Sequence, residues 1–211
     1  MAGRPSELMY VETPLLEQLK KLGWTVVQLD DSEKHDPQKS FRESFSEVVI
    51  VSRLKAALKR LNPWLNDVQI DDLCRQIQDY PHPLKQVLEN NEEVYDRITE
   101  GLSADNEETG EINCPVRLID WTDVDAYDGP DVTDNDFLAI SQYKIRIPGK
   151  EEHIIPDIVL FVNGLPLVVI ECKAPDITEP MAEGIDQLMR YQNRRGAEEP
   201  EGVPELFYFN Q

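Results

Sequence analysis

The chain has 211 residues, of which 40% are hydrophobic and 29% are charged, a balance typical of a globular protein with one sizeable core. Its formal net charge of −20 argues against a nucleic-acid partner, because affinity for DNA depends on Lys and Arg contacts to phosphate. The sequence contains no apolar run of the ~18 residues that a membrane helix needs, no secretory signal, and no zinc or disulfide pattern among its three cysteines. These features predict a cytoplasmic protein with reduced thiols and no membrane contact.

Four segments of the N-terminal half carry apolar side chains at helical spacing: residues 7–21, 41–61, 66–79 and 83–102. Gly23 follows the first of these segments and Asn62-Pro63 follows the second, and both are typical of helix ends. A short strand is predicted over residues 24–29, between the first two helices. Polar composition indicates exposed connections over two further segments, residues 30–40 and 103–113.

Most of the predicted strands lie in the C-terminal half. Besides one hairpin, strands are indicated over residues 114–119, 137–147 and 206–209. Asp, Gly and Pro are frequent in residues 120–136, which predicts irregular structure, and a helix is predicted over residues 181–193. The chain ends directly after the last predicted strand, which is typical of a fragment of a longer protein.

The segment PDIVLFVNGLPLVVIECKAP, residues 156–175, places two apolar runs around Asn163-Gly164. Both turn residues tolerate positive φ, so this segment predicts a β-hairpin. Apart from Pro166, the second run is apolar at successive positions, which predicts a strand that is covered on both faces.

Charged residues lie at the open end of this hairpin, where Asp157 precedes the first strand and Glu171 and Lys173 follow the second. A strict two-residue loop would pair Asp157 with Ile170 and place its side chain on the face opposite Glu171. A three-residue, bulged loop restores a shared face. If the two carboxylates act together, we therefore expect a bulged turn or a bend at Asp157.

Paired carboxylates beside a lysine have a specific chemical use. Two neighbouring carboxylates repel each other, and burial increases the repulsion, which a divalent cation relieves. Mg²⁺ prefers oxygen ligands, and a nearby lysine can orient or deprotonate the attacking water or stabilise charge on phosphorus. The pattern indicates metal-dependent attack on a phosphodiester, and the alternative is a set of solvated charges with Lys173 in a salt bridge.

The hairpin segment resembles the nuclease core of the PD-(D/E)xK superfamily. More narrowly, the chain resembles the N-terminal domain of the restriction (HsdR) subunit of type I restriction-modification enzymes. Four other segments carry this resemblance: ETPLLEQLKKLGW (12–24), LKRLNP (58–63), ISQYKI (140–145) and QLMRY (187–191), the last of which fits a Q-x-x-x-Y motif. The resemblance implies a single α/β endonuclease domain over residues 1–211, with a central mixed β-sheet flanked by helices in the restriction-endonuclease-like fold.

The resemblance also implies a set of catalytic residues. Asp157 and Glu171 would bind Mg²⁺, with Mn²⁺ as a substitute, and the backbone carbonyl of Cys172 would be a further ligand. Lys173 would assist the attacking water.

Three residues outside the hairpin receive supporting roles from the same resemblance. Gln187 and Tyr191, four residues apart on one helix face, would position DNA or the active-site residues. Glu12 matches an accessory acid near the metal, although Glu17 and Glu43 also lie on early predicted helices.

As the resemblance implies, the domain would cleave double-stranded DNA after ATP-driven translocation by helicase domains of the same chain, in a complex with modification and specificity subunits. The sequence contains no phosphate-loop motif, so ATP would serve the full-length subunit and would not bind this fragment. DNA affinity would come from the rest of the assembly, which reconciles a nuclease with the acidic charge. The alternatives are a non-catalytic interaction module of the same fold that docks motor or recognition subunits, and a stand-alone nuclease of another PD-(D/E)xK family.

Overall fold

The computed structural model describes residues 7–79, 86–121, 134–174, 176 and 178–210. In chain order the α-helices are α1 (Thr13–Lys21), α2 (Val51–Leu61), α3 (Asp67–Gln78), α4 (Val87–Thr99) and α5 (Pro180–Tyr191). The strands are β1 (Thr25–Gln28), β2 (Leu102–Asn106), β3 (Glu111–Val116), β4 (Phe137–Ser141), β5 (Ile145–Arg146), β6 (His153–Ile154), β7 (Ile158–Val162) and β8 (Leu165–Ile170). A π-helical turn, Leu8–Glu12, leads directly into α1.

Four strands form a mixed sheet in the order β1-β4-β7-β8. β1 runs parallel to β4, whereas β4 and β7, and β7 and β8, are antiparallel. The pairs β2–β3 and β5–β6 form separate two-stranded ribbons. The chain is therefore an α/β protein with a mixed sheet flanked by helices, as predicted.

Strand β7 is the buried centre of this sheet. Ile158 and Leu160 point to the face that α1 covers. Val159 and Phe161 point to the other face and pack in a cluster that includes Tyr191 of α5. Each fully buried side chain of this kind contributes roughly 1.5–3 kcal/mol to the stability of the fold, so the packing on both faces fixes the position and orientation of β7 between the helices.

The second apolar run, now β8, was predicted to be covered on both faces, and this prediction is wrong; the strand that is buried on both faces is β7. Within the described residues β8 lies at the sheet edge, and Val168 is 38% exposed. One face of β8 packs on the protein interior, and one edge pairs with β7. Because no described strand covers the other edge, part of β8 is open to solvent although its sequence is apolar.

The hairpin turn is tight, and the bulge lies within β8. Asn163 and Gly164 have φ angles of 53° and 83°, and they form a two-residue loop that pairs Val162 with Leu165. The register then shifts next to Pro166, so that Leu167 is the extra residue. A bulge is present, but it lies within β8, so the predicted position at the turn, or as a bend at Asp157, is wrong. A proline lacks the N–H that a regular ladder needs, which favours a bulge at this position.

The predicted helix over residues 41–61 begins only at Val51, and residues 41–50 are irregular. Tertiary contacts of Arg42 explain the difference. Its buried guanidinium donates to the carbonyls of Glu47 and Lys144 and lies 3.7 Å from the ring centroid of Tyr143. These contacts stabilise an extended path more than the apolar periodicity stabilises a helix turn.

Other predicted elements vary in their agreement with the structure. The first, third, fourth and last predicted helices are confirmed as α1, α3, α4 and α5, and the strand over 24–29 is confirmed as β1. The connection predicted over 103–113 instead contains the β2–β3 ribbon, and the last predicted strand is a 3-10 turn, Pro204–Phe207. The predicted strand over 137–147 is interrupted after β4, where Gln142 has a φ of 55°. Residues 122–133, within the segment predicted to be irregular, lie outside the described residues.

None of the described helices combines the length and the apolar character that crossing a bilayer requires.

Candidate functional site

The hairpin brings its charged residues to one end of the sheet. Asp157 immediately precedes β7, and Glu171 immediately follows β8. Ile158 pairs with Ile170, so the register extended by one residue places Asp157 opposite Glu171. The bulge in β8 is what creates this alignment, since the register at the turn would pair Asp157 with Ile170.

Glu171 is the most unusual residue of the site, because its side chain is only 1% exposed. Neither carboxylate oxygen accepts a hydrogen bond from any described residue, although Nζ of Lys173 lies 3.5 Å from Oε2. Burial, and then the adjacent carboxyl group of Asp157, raises the pKa of Glu171 to about 8. Buried acceptors without a donor are rare in proteins, and here they leave room for a proton or a cation between two carboxylates.

Asp157 is buried and is held by the backbone that follows Glu171. Its Oδ2 accepts a hydrogen bond of 2.7 Å from the N–H of Cys172. The thiol of Cys172 packs with α1 and the sheet, and burial raises its pKa to about 12. Cys172 thus presents its main chain to the site, whereas its thiol is inert.

Glu12 lies next to Asp157, where an accessory acid was predicted. It is buried at the junction of the π-helical turn and α1, and Nε2 of Gln142 lies 3.4 Å from its Oε2. Burial, and then the charge of Asp157, raises its pKa. The competing candidates Glu17 and Glu43 are exposed, and Glu43 lies outside the helices.

A residue that the sequence analysis did not identify completes this group. Carboxylate oxygens of Glu7, Glu12 and Asp157 lie within 4.8 Å of one another. Oε2 of Glu7 accepts a hydrogen bond of 2.9 Å from the N–H of Ala174. Glu12 lies five positions after Glu7, which is not an α-helical repeat. A π-helical turn with its i→i+5 bonds brings the two residues to the same side. No local sequence signal would have predicted this turn.

Gln187 and Tyr191 both lie on α5 and bond to each other. Nε2 of Gln187 donates to Oη of Tyr191 at 2.7 Å, and Oη of Tyr191 lies 3.3 Å from the carbonyl oxygen of Ile155, to which it donates. Tyr191 is buried, and burial together with the charge of Glu171 raises its pKa to about 12. The pair therefore ties α5 to the segment that leads into Asp157.

The donor set matches the requirements of a hard divalent cation. Asp157 and Glu171 supply adjacent carboxylates, and neither oxygen of Glu171 accepts a hydrogen bond of regular geometry from the described residues, although Lys173 forms an ion pair with it. Mg²⁺ and Mn²⁺ favour such oxygen ligands over sulfur or nitrogen. The residues present thus fit the metal that the sequence resemblance implies.

Sequence similarity places the chain among known proteins. Residues 4–211 match the family described as type I restriction enzyme R protein N terminus. The chain is 30% identical over 202 residues, 95% of its length, to the type I restriction enzyme HindI endonuclease subunit of Haemophilus influenzae. It is 27% identical over 217 residues to a Methanocaldococcus jannaschii protein provisionally named as the MjaVIIIP type I endonuclease subunit.

The matched region is a small part of these relatives. The chain spans 17% of the Haemophilus influenzae subunit and 18% of the Methanocaldococcus jannaschii protein. The match to the family nevertheless covers nearly all of the chain. The chain therefore belongs to the family of type I restriction enzyme R protein N-terminal regions.

Proposed function

We propose that the chain is the endonuclease domain of a type I restriction enzyme and that it hydrolyses DNA phosphodiester bonds with a divalent cation. The observation that carries this proposal is the pair of Glu171 oxygens, which are buried beside Asp157 and accept no regular hydrogen bond from the described residues, with the ammonium of Lys173 3.5 Å from one of them. A purely structural glutamate at this depth would be expected to have its acceptors satisfied. The mixed sheet and the order Asp157, Glu171, Lys173 support assignment to the PD-(D/E)xK fold.

The cation would be Mg²⁺, with Mn²⁺ as a substitute. Asp157 and Glu171 would hold it, together with the backbone carbonyl of Cys172. When bound, the cation would polarise the scissile phosphate and neutralise the negative charge that develops on it. Its positive charge would also favour the ionised form of Glu171, which burial otherwise disfavours.

Lys173 would act on the attacking water. Its side chain is 14% exposed, and Nζ lies 3.5 Å from Glu171, so the ammonium is held at the edge of the carboxylate pair. From this position it orients the water towards phosphorus and stabilises the developing negative charge. Gln187 and Tyr191 would act indirectly, by fixing α5 against the segment before Asp157.

Double-stranded DNA would be the substrate, delivered by other parts of the enzyme. The net charge of −20 is unfavourable for binding a polyanion, so the isolated chain should bind duplex DNA weakly. Helicase domains of a longer subunit would drive translocation with ATP, and modification and specificity subunits would complete the complex in the cytoplasm. The sequence of this chain has no phosphate-loop motif of its own to bind ATP.

Substitution of Lys173 in the complete enzyme tests this proposal. We expect Lys173→Ala to reduce DNA cleavage by about 10²–10⁴-fold, because the variant loses the group that orients and activates water. ATP hydrolysis and translocation should remain near the wild-type level. Lys59→Ala is the matched control, since Lys59 is an exposed lysine paired with Asp67. Normal cleavage by Lys173→Ala would show that the catalytic assignment is wrong.

The acidic charge favours a second candidate, a non-catalytic module of the same fold that docks motor or recognition subunits. Such a module has no need of a divalent cation. Calorimetry with Mg²⁺ or Mn²⁺ separates the two functions, because the nuclease should bind the ion and the Glu171→Ala variant should not.

A further inference from the structure

A short segment leads away from the carboxylate site with cations on its open face. Along residues 142–147 every second side chain is buried, and the side chains between them are the half-buried or exposed Gln142, Lys144 and Arg146. Side chains two positions apart in an extended segment point to the same face, so Lys144 and Arg146 share one. Gln142 begins the segment at the site itself, because its amide nitrogen lies 3.4 Å from Glu12. The open face therefore runs from the site past two cations.

The neighbouring segment adds a histidine to this surface and leads back to Asp157. Arg146 of β5 pairs with His153 of β6. Towards the site, the N–H of Gln142 donates to the carbonyl of Asp157 at 2.8 Å, which ties the two segments together again. Because His153 lies four positions before Asp157, their Cα atoms are at most roughly 14 Å apart.

One aromatic ring and one imidazole hold Lys144 in place. Its Nζ lies 3.1 Å from Nδ1 of His35 and 5.0 Å from the ring centroid of Phe45. An ammonium group can only donate, so Nδ1 of His35 is the acceptor. The ring of His153 meets the same Phe45 edge-on, with 5.5 Å between centroids, and the carbonyl of Phe45 accepts from the N–H of Arg146 at 2.9 Å. Three basic side chains are thus gathered around Phe45, with Arg146 next to them.

Positive charge is in excess on this surface, although the net charge of the whole chain is −20. Most described lysines pair with a carboxylate, as Lys59 does, but Lys144 has no such partner within the described residues. Arg146 pairs with Glu151, whose side chain is 92% exposed and is therefore free to turn away. Burial, and then the charges of Lys144 and Arg146, lower the pKa of His153. Unpaired positive charge on an acidic protein indicates an anionic partner.

We infer that His35, Lys144, Arg146 and His153 form a basic ridge that contacts the phosphate backbone of duplex DNA beside the scissile phosphodiester. This inference rests on the proposed nuclease function and adds to it the surface along which the DNA lies. The phosphates of one strand are spaced about 3.4 Å along the duplex axis, so the ridge would reach those within about four nucleotides of the cleaved bond. Such contacts position a duplex without reading its sequence, which suits a nuclease whose recognition subunits are separate.

The size of the basic ridge is consistent with weak binding by the isolated chain. It offers four basic groups, two of which are imidazoles, in a chain that otherwise repels a polyanion. Each phosphate contact should contribute a slope of about −0.9 to the dependence of log affinity on log salt concentration. The ridge would therefore orient a duplex that other parts of the enzyme have delivered.

Fluorescence anisotropy of a labelled duplex tests the ridge on the 211-residue chain, in a chelator so that no cleavage occurs. We expect weak binding by wild type that falls as salt is raised. Lys144→Ala should bind about threefold to tenfold more weakly at low salt, and its salt slope should be shallower by about 1. Lys144→Arg should keep the affinity and the slope of wild type, because arginine also binds phosphate.

Lys59→Ala is the matched control, since Lys59 is exposed and lies on α2, and it should bind like wild type. Two duplexes of equal length and unrelated sequence should bind equally well. Equal affinity and slope of wild type and Lys144→Ala would overturn the ridge, as would the lack of any salt-dependent binding by wild type.

DNA cleavage by the complete enzyme separates this inference from the proposed function. If Lys173→Ala stops cleavage while Lys144→Ala binds and cuts normally, the ridge is wrong and the nuclease assignment stands. If Lys144→Ala weakens binding while Lys173→Ala cuts normally, the ridge remains a DNA surface and the catalytic assignment fails.

A second measurement does not depend on the folding of any variant. Acetylation of Lys144 in the wild-type chain, followed by mass spectrometry, should slow when duplex DNA is added, whereas Lys59 should react at an unchanged rate. Polyglutamate of equal total charge should protect Lys144 less than DNA does. Protection by polyglutamate alone would assign the ridge to an acidic polypeptide and overturn the inference, and protection by neither polymer would also overturn it.

Discussion

At its turn, the β7–β8 hairpin buries Asn163 with every hydrogen-bonding position of the side chain filled. Its Nδ2 donates to the carbonyl of Leu118 and to Oδ1 of Asn135, and its Oδ1 accepts from the N–H of Asp136 and from Arg60. At the opposite end, the same hairpin buries Glu171, whose oxygens accept no hydrogen bond from the described residues. Both residues are polar and deeply buried, yet only the first is satisfied by the protein itself.

The difference distinguishes structural from functional polar residues. A buried polar group that is fully bonded specifies the fold, because each partner would be left unsatisfied without it. A buried carboxylate without donors destabilises the fold and is retained where a ligand completes it. Substitutions at the turn should therefore lower the free energy of unfolding, whereas substitution of Glu171 should raise it when no metal is present.

The largest effect should come from Gly164→Ala. A Cβ atom at this position would lie 2.5 Å from the carbonyl oxygen of Ile50 and 2.9 Å from the amide nitrogen of Leu54, both of them backbone atoms. We expect a loss of about 3–5 kcal/mol in the free energy of unfolding, measured in urea. Gly149→Ala is the control, since Gly149 has a φ of 77° and open space around it, and it should lose only about 1–2 kcal/mol. Equal losses would mean that the close contact between Gly164 and the start of α2 does not determine the cost of the added methyl group.

Asn163→Ala should have the next largest effect. The variant loses four side-chain hydrogen bonds and leaves their partners buried, so we expect a destabilisation of about 2–4 kcal/mol. Asn113→Ala controls for backbone conformation, because Asn113 has nearly the same φ, 54° against 53°, but is exposed. If both asparagine variants were equally stable, the hydrogen bonds of Asn163 would not stabilise the turn as described.

Glu171 should make the wild-type protein less stable as pH rises, in the presence of a chelator. Its pKa is about 8 in the folded chain against 4.5 as the ordinary value, so the folded state binds more protons between these pH values. Stability contributed by this group is thus complete below pH 4.5 and is lost progressively up to pH 8. Glu171→Gln should flatten this dependence and exceed wild type by about 1–2 kcal/mol near pH 8. A difference between the two proteins that does not vary with pH would contradict the assignment.

The smallest effect should come from Tyr191→Phe. This variant tests a polar group that is hydrogen-bonded and lies at the same end of the hairpin as Glu171. Its hydroxyl is bonded to Gln187 and Ile155, so its loss should destabilise the protein by about 0.5–1.5 kcal/mol in urea. Tyr95→Phe on α4, at a half-exposed tyrosine, should change stability by less. Stabilisation by Tyr191→Phe would show that bonded and unbonded polar groups behave alike at this end.

Local signals in the sequence predicted much of the site. The Asn163-Gly164 turn was recognisable because both residues adopt positive φ, and the flanking apolar runs located Asp157 and Glu171 at its open end. The α/β class was implied by the family resemblance, and the helical and strand periodicities agree with it. The roles proposed for Asp157, Glu171 and Lys173 stay predictions.

Features that depend on distant contacts could not be predicted. Asp157 and Glu171 share a face because of the bulge at Leu167, and this bulge depends on the register in which β8 pairs with β7. Residues 41–50 carry a helical pattern, but Arg42 holds them in an irregular path through contacts about a hundred residues away. Glu7 joins the site only through a π-helical turn, and the five-residue spacing from Glu12 gave no hint of proximity.

Thermal unfolding of wild type and Glu171→Gln, with a chelator and with excess Mg²⁺, tests whether the buried carboxylates form a cation site. We expect Glu171→Gln to be the more stable protein in the chelator near pH 8, where Glu171 is half ionised. Excess Mg²⁺ should then stabilise wild type by about 2–3 kcal/mol, if the ion is about 100-fold above its Kd, and should leave the variant with little gain. The order of the two melting temperatures would thus reverse. A wild-type melting temperature that Mg²⁺ does not change would contradict the claim that the buried carboxylates form a cation site.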